Sequence, residues 1–303
     1  MKKRLFIAIL CLLLALACHP TEQEAQVSDT PAPTDAPSPS PSPSPEEVVA
    51  VETPENDDVP YVAPTLPPAP TPAPTPAPTP TPPPLAGIKI GLDPGHQARA
   101  DHATEPNAPD SDEYKQKVSS GTRGIVSRVY EYEVNLSVAL KLKALLEEGG
   151  ATVCITRTVN EVNLSNRERA VYFNEQQVDL AIRLHCNGVD DANVRGAFML
   201  LPTRERTAYY NENVLAATTI LEYYCAATGL SARKQNGIAY SGSQTGFNWC
   251  TRPIICIEMG HLSNEEEDLL LTSDTFQDKM ALGIYRGIVA YFNPEALEEG
   301  GNS

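Results

Sequence analysis

Three apolar, strand-like runs in this chain each end in a residue able to do chemistry. Ile88-Lys89-Ile90-Gly91-Leu92 leads into Asp93-Pro94-Gly95-His96, Leu180 to Leu184 leads into His185-Cys186-Asn187, and Pro253 to Ile257 leads into Glu258-Met259-Gly260. One histidine at a strand end is most often a turn residue, and one Glu before Gly is usually a turn as well. Two histidines and a carboxylate delivered to one edge point instead to a site. Two imidazoles and one carboxylate around an open position make the donor set of a catalytic zinc. That metal lowers the pKa of water toward ~7, and a second, non-ligating carboxylate then serves as general base. The third donor is sought in Tyr130-Glu131-Tyr132-Glu133-Val134-Asn135-Leu136, at the start of a helical pattern. Acidic residues in a first helical turn are also favoured by the dipole alone, so on this ground Glu131 and Glu133 both stay open.

Elements must bring these ends together. Further short runs rich in β-branched residues lie at Ala151 to Ile155 and Gly196 to Leu201. Helical stripes lie between them: Val134, Val138, Leu142 and Leu145, ending at Gly149-Gly150; Val214, Ala217, Leu221 and Tyr224; and Phe276, Met280, Ile284, Ile288 and Tyr291. Strands alternating with helices predict an α/β domain whose sheet is covered on both faces. Ligands of such sheets gather beyond the carboxyl ends of the strands. The segment from Gln97 to Val129 is long for a connection, and a loop of that length is a lid, a binding surface or disordered.

Composition sets the boundaries. Of 28 prolines in 303 residues, 22 lie between Pro20 and Pro84. So proline-rich a segment, with so few apolar residues, cannot bury enough surface to offset its ordering entropy. The expected organisation is a signal peptide at 1–17, a disordered Pro/Ser/Thr-rich linker at 18–86, one globular domain at 87–293 and an acidic flexible tail at 294–303. Alternating prolines favour polyproline II, a semi-rigid spacer of ~3.1 Å per residue. The formal net charge is −16, most of it outside the globule, which leaves no basic footprint for nucleic acid. Met1-Lys2-Lys3-Arg4 followed by the apolar run Leu5 to Leu16 reads as an export signal, too short for a membrane span. Ala15-Leu16-Ala17-Cys18 resembles a bacterial lipobox, which implies cleavage before Cys18, lipid on its thiol and an extracytoplasmic, membrane-anchored protein facing the cell wall. An ordinary secretory signal with an incidental cysteine is the plainer alternative. The globule's Cys154, Cys186, Cys225, Cys250 and Cys256 are odd in number, so at least one is unpaired, and no CxxC spacing suggests a metal cluster.

The order Asp93-Pro94-Gly95-His96, Glu131 to Leu136, Thr156-Arg157, Arg169-Ala170, Leu184-His185-Cys186-Asn187, Glu258-Met259-Gly260 and Leu262-Ser263-Asn264 closely resembles the zinc-dependent N-acetylmuramoyl-L-alanine amidases of the peptidoglycan amidase-3 family. The resemblance covers about residues 87–293. It implies a mixed, mostly parallel sheet of about six strands flanked by helices on both faces. It further implies one Zn²⁺ held by His96, Glu131 and His185, with Glu258 as catalytic base and acid. Counting back five residues from Leu136 selects Glu131 over Glu133. Helix geometry agrees that only one can serve, because positions two apart point about 200° apart. The implied reaction is hydrolysis of the amide between N-acetylmuramic acid and L-alanine in peptidoglycan, by a monomer.

Three positions depart from the family's usual residues: Gln97 where Gly is frequent, Arg183 where Ser is common, and His261 where Phe is usual. Arg183 shares a strand face with His185. There its guanidinium either reaches an anionic or carbonyl group of substrate or pairs within the sheet edge. Arg183, Asn187 and Asn248 are the candidates for substrate contact, Asn248 being equally readable as part of a turn. Two rival functions are a catalytically silent wall-binding module, which would lack Glu258 or a ligand, and a zinc carboxypeptidase trimming stem peptides.

Overall fold

A computed structural model describes residues 82–233 and 235–299. The signal, Cys18 and nearly all of the proline-rich segment lie outside the described residues. In chain order the elements are β1 (Lys89–Pro94), β2 (Asp101–Pro106), β3 (Tyr114–Val118), α1 (Glu131–Glu148), β4 (Thr152–Ile155), α2 (Asn166–Gln176), β5 (Leu180–Asn187) and β6 (Phe198–Pro202). Then follow α3 (Tyr210–Thr228), β7 (Ile238–Ser241), the single turn α4 (Thr245–Asn248), β8 (Ile254–His261), α5 (Glu265–Leu271), α6 (Asp274–Phe292) and α7 (Glu295–Glu299).

Six strands form one sheet in the order β4-β1-β5-β8-β6-β7. Every pairing in it is parallel except β6 against β8. This is the mixed, mostly parallel sheet of about six strands that the family resemblance implied. Side chains alternate across it. Ile90, Leu92, Leu180, Ile182, Leu184, Ile255 and Ile257 enter the larger core with α1, α3 and α6. The opposite face packs Ala181, Ile254 and Cys256 against Phe173 of α2 and Phe247 of α4. Helices therefore cover both faces, and burial of these fully enclosed side chains contributes roughly 1.5–3 kcal/mol each. α3 and α6 meet through glycine: a Cβ on Gly287 would lie 2.5 Å from the Cα of Ile220.

The structure differs from the sequence expectation at three places. The long 97–129 connection is not featureless, because β2 and β3 pair in it as an antiparallel hairpin. Leu85, assigned above to the linker, is fully buried, with its N–H donating to Gly149 O at 2.9 Å. The acidic tail begins as helix α7, whose Ala296 and Leu297 pack against the core. In both flanks apolar side chains reach the core although the surrounding sequence is polar. All five cysteines of the globule are free, four of them buried.

Candidate metal centre

The alternation that sends isoleucines and leucines into the larger core turns Asp93, Arg183, His185, Cys256 and Glu258 to the other face. Register stacks them in two tiers. Glu258 lies opposite His185 on one side and Phe198 on the other; two residues lower, Cys256 lies opposite both Arg183 and Leu200. β8 runs on to His261, so Glu258 is a strand residue and not the first residue beyond the strand.

His96 follows β1 with φ at 62°. A left-handed conformation in a non-glycine residue costs on the order of 1–3 kcal/mol and persists only where the surroundings over-determine it. Here buried arginines grip the backbone around it. Arg157 donates to Pro94 O (2.9 Å) and Gly95 O (3.1 Å), while Arg169 donates to Pro94 O (3.1 Å) and His96 O (3.2 Å). Arg169 also meets Asp93 Oδ1 at 2.7 Å, and Arg183 Nε meets Asp93 Oδ2 at 2.9 Å. Burial alone would raise the Asp93 carboxyl, but the two guanidiniums hold it well below the usual carboxylate range. Gln97 is wholly buried and its Oε1 accepts from Leu164 N and an Arg169 Nη2–H. The unusual backbone thus falls on His96, and Gln97 serves through its side chain.

Glu131 opens α1 and is buried, whereas Glu133 is exposed and its Oε2 accepts from the Tyr130 N–H at 2.9 Å as a helix cap. Glu131 Oε1 lies 3.2 Å from His96 Nε2 and 3.1 Å from His185 Nδ1. The Cys186 N–H donates to that same oxygen at 3.1 Å, and the Thr122 N–H donates to Oε2 at 2.9 Å. His96 Nδ1 sits 3.0 Å from Ser119 O, the kind of outer partner that fixes the tautomer and leaves Nε2 to face inward. Burial pushes the His185 imidazole down to about 4, so at neutral pH the ring is neutral and one of its nitrogens keeps a lone pair. Burial opposes ionisation of Glu131 as well, but the two imidazoles beside it hold its carboxyl below the usual range.

One donor atom from each of His96, Glu131 and His185 falls within 4.8 Å of the others. Two imidazole nitrogens facing one carboxylate oxygen, with buried His185 Nε2 lacking any hydrogen-bond partner among the described residues, is a donor set that a zinc-like ion fits. Small residues make the room. A Cβ on Gly95 would fall 2.2 Å from the His185 ring, and one on Gly121, whose φ is +77°, 2.5 Å from Glu131 Oε2.

The ligand set opens on a cavity of about 310 Å³ that Arg183, Asn187, Gln244, Phe247 and Glu258 help to line. Of the candidates for substrate contact, Arg183 and Asn187 reach it. Asn248 does not: its Nδ2 donates to Asn107 O and Gly242 O, both at 3.2 Å, which fastens the α4 turn to the hairpin side. Trp249 fastens the same region, donating Nε1–H to Pro106 O at 2.8 Å beneath the guanidinium of Arg167, 4.0 Å above its ring. His261 is fully buried; its Nε2 lies 3.3 Å from Asn187 Nδ2 and 3.1 Å from Arg233 Nη1. Sequence reasoning missed Ser119, Gly121 and Thr122. All three act on the ligands through a backbone group or lack of a side chain, Ser119 adding its Oγ at 3.0 Å from His96 Nδ1, which leaves little residue-type signal. Asp268 of α5 anchors their segment by accepting from the N–H groups of Val126 (2.7 Å) and Ser127 (2.9 Å).

Comparison with known proteins gives a consistent picture. The profile of the N-acetylmuramoyl-L-alanine amidase family matches residues 90–290. The germination-specific N-acetylmuramoyl-L-alanine amidase of Bacillus subtilis is 29% identical over 226 residues, covering 69% of this chain and 81% of that protein. The probable cell wall amidase LytH of Staphylococcus aureus is 23% identical over 210 residues, 69% of this chain and 60% of that protein. Among solved structures, the apo N-acetylmuramyl-L-alanine amidase Ami1 of Mycobacterium abscessus superposes with a TM-score of 0.64 at 24% identity, over 68% of this chain and 99% of that one.

Proposed function

Since the chain belongs to the N-acetylmuramoyl-L-alanine amidase family, we propose that it cleaves peptidoglycan with a zinc ion held by His96, Glu131 and His185 and with Glu258 as general base and acid. The observation that carries this reading is the single Glu131 oxygen shared by two imidazole nitrogens at 3.2 and 3.1 Å. When bound, zinc supplies Lewis acidity, which polarises an amide carbonyl and makes water acidic near neutral pH. Thr122 and Cys186 hold the Glu131 carboxylate through their N–H groups, and Ser119 holds the His96 ring. Glu258, across the strand pair from His185, takes a proton from the attacking water and returns it to the departing nitrogen. The C–N bond of the amide breaks, leaving a carboxylate on the lactyl group and a free amino terminus on L-alanine.

Digestion of wall material followed by mass spectrometry tests the reaction. New L-alanine amino termini are expected. Trimmed stem peptides would mean a carboxypeptidase, and absence of products a binding module. Chelation is expected to abolish product formation and Zn²⁺ to restore it. Undiminished turnover in protein shown to be free of metal would remove zinc from the scheme.

Action on peptidoglycan places the protein outside the cytoplasm. Anchoring through lipid on Cys18, with the 18–86 segment as spacer, belongs to the proposal and is supported by Ala15-Leu16-Ala17-Cys18 after a basic, then apolar, leader. Cys18→Ser is expected to move the protein from the detergent phase to the aqueous phase. Partitioning indistinguishable from wild type would dismiss the lipobox.

A further inference from the structure

The lower of the two tiers has no part in the hydrolytic step, yet it is built with care. Arg183, Cys256 and Leu200 stand in register across β5, β8 and β6, two residues below His185 and Glu258, and they line the same cavity. Phe247 and Gln244 form part of its remaining wall. The Arg183 side chain is only 6% exposed. Two of its three nitrogens are committed: Nε to Asp93 Oδ2 at 2.9 Å and Nη2 to Asn166 Oδ1 at 2.8 Å. The third, Nη1, has no acceptor among the described residues and is not among the fully enclosed polar atoms that lack one. It is held in place from behind by the α4 turn, where a Cβ on Gly246 would fall 2.8 Å from it.

Charge sharpens the point. Asp93 is shared by Arg169 and Arg183, so one fully buried carboxylate serves two guanidiniums, and the Glu258 carboxylate in the tier above acts on Arg183 as well. A guanidinium fixed at two nitrogens and lining a cavity whose wall includes Leu200 and Phe247 favours a charged oxygen over a neutral one.

We infer that Arg183 forms a carboxylate subsite of this cavity and selects peptidoglycan stem peptides that carry a free carboxylate near the scissile amide. The inference rests on the amidase reading above. The tiers are two strand residues, roughly 6–7 Å, apart, about the reach of two extended peptide residues. The lactyl carboxyl of N-acetylmuramic acid is itself consumed in the scissile amide, so the carboxylates of the substrate lie on its peptide side. The L-alanine carboxyl is taken up in the peptide bond to the next residue, so the second residue of the stem is the nearest that can offer a free carboxylate.

Two N-acetylmuramoyl peptides, alike except that the second residue's carboxylate is free in one and amidated in the other, provide the test. With the zinc-loaded protein, kcat/KM is expected to favour the free acid by ~10-fold or more, chiefly through KM. Arg183→Ser should bring the kcat/KM values of the two peptides together, and Arg183→Lys should keep part of the difference. Equal kcat/KM for the two peptides in wild type overturns the inference without any variant, as does a preference that survives in Arg183→Ser. Calorimetric binding of the same pair separates this outcome from failure of the amidase reading. If neither peptide is cut, tighter binding of the acid by wild type but not by Arg183→Ser upholds the subsite, and equal affinities dismiss it.

Discussion

Glu131→Ala is expected to lose both bound metal and hydrolysis, while Glu133→Ala keeps both. The two residues are two positions apart on one helix and face different surroundings. Glu131 is buried with one oxygen between His96 and His185, whereas Glu133 is exposed and spends its carboxylate on the Tyr130 N–H. Removing a ligand takes away a third of the protein's hold on the ion. The rate should therefore fall further than the ~10–100-fold that loss of an outer partner brings. Glu133→Ala loses a capping contact worth roughly 1 kcal/mol, a stability effect to be read in Tm and not in turnover. Metal content by elemental analysis, set beside turnover for the two variants, is decisive. Metal retained in Glu131→Ala and lost in Glu133→Ala would move the ligand by two residues.

Glu258→Ala should produce the complementary result: bound zinc at the wild-type ratio with kcat reduced by ~10²–10⁴-fold, the range a general base supplies. Glu258 lines the cavity and faces His185 across the strand pair, but it does not belong to the three residues whose donor atoms converge. Glu258→Gln keeps the shape without the proton acceptor and should be as impaired. Loss of metal from either variant would turn Glu258 into a ligand and leave the base unassigned.

Much of this arrangement was legible in the residues themselves. β1, β5 and β8 announce themselves as short apolar runs, and their ends carry His96, His185 and Glu258. The helical stripes of α1, α3 and α6 are equally plain, because each buries a continuous face in the larger core. What stayed hidden has physical reasons. α2 reads Asn-Arg-Glu-Arg-Ala-Val-Tyr-Phe-Asn-Glu-Gln; it buries only Ala170, Phe173 and the stem and head of Arg169, too few apolar positions to show a stripe. Its capping box, Ser165 with Glu168, was the available signal. The hairpin of β2 and β3 is short, exposed and charged, so its alternation carries no hydrophobic contrast. The outer partners of the ligands are backbone groups of Ser119, Thr122 and Cys186, and backbone groups have no letter in a sequence. Arg183 was visible as an unusual residue on the face of His185. Only coordinates reveal that Asp93 and Asn166 occupy two of its nitrogens and leave the third without an acceptor among the described residues.

Trp249 is the sole tryptophan of the chain, and it sits where the hairpin, α2 and the α4 turn converge. Its indole N–H is tied to Pro106, its ring lies under Arg167, and its carbonyl accepts from Asn174 at 2.9 Å. The protein therefore carries a built-in optical probe at the seam between the hairpin, α2 and the α4 turn. Indole emission responds to solvent exposure and to nearby charge, so a hairpin lifting from the α4 turn would shift the fluorescence of the whole molecule with no label attached. Stopped-flow fluorescence on the unmodified chain can thus time movements of that seam against the appearance of product.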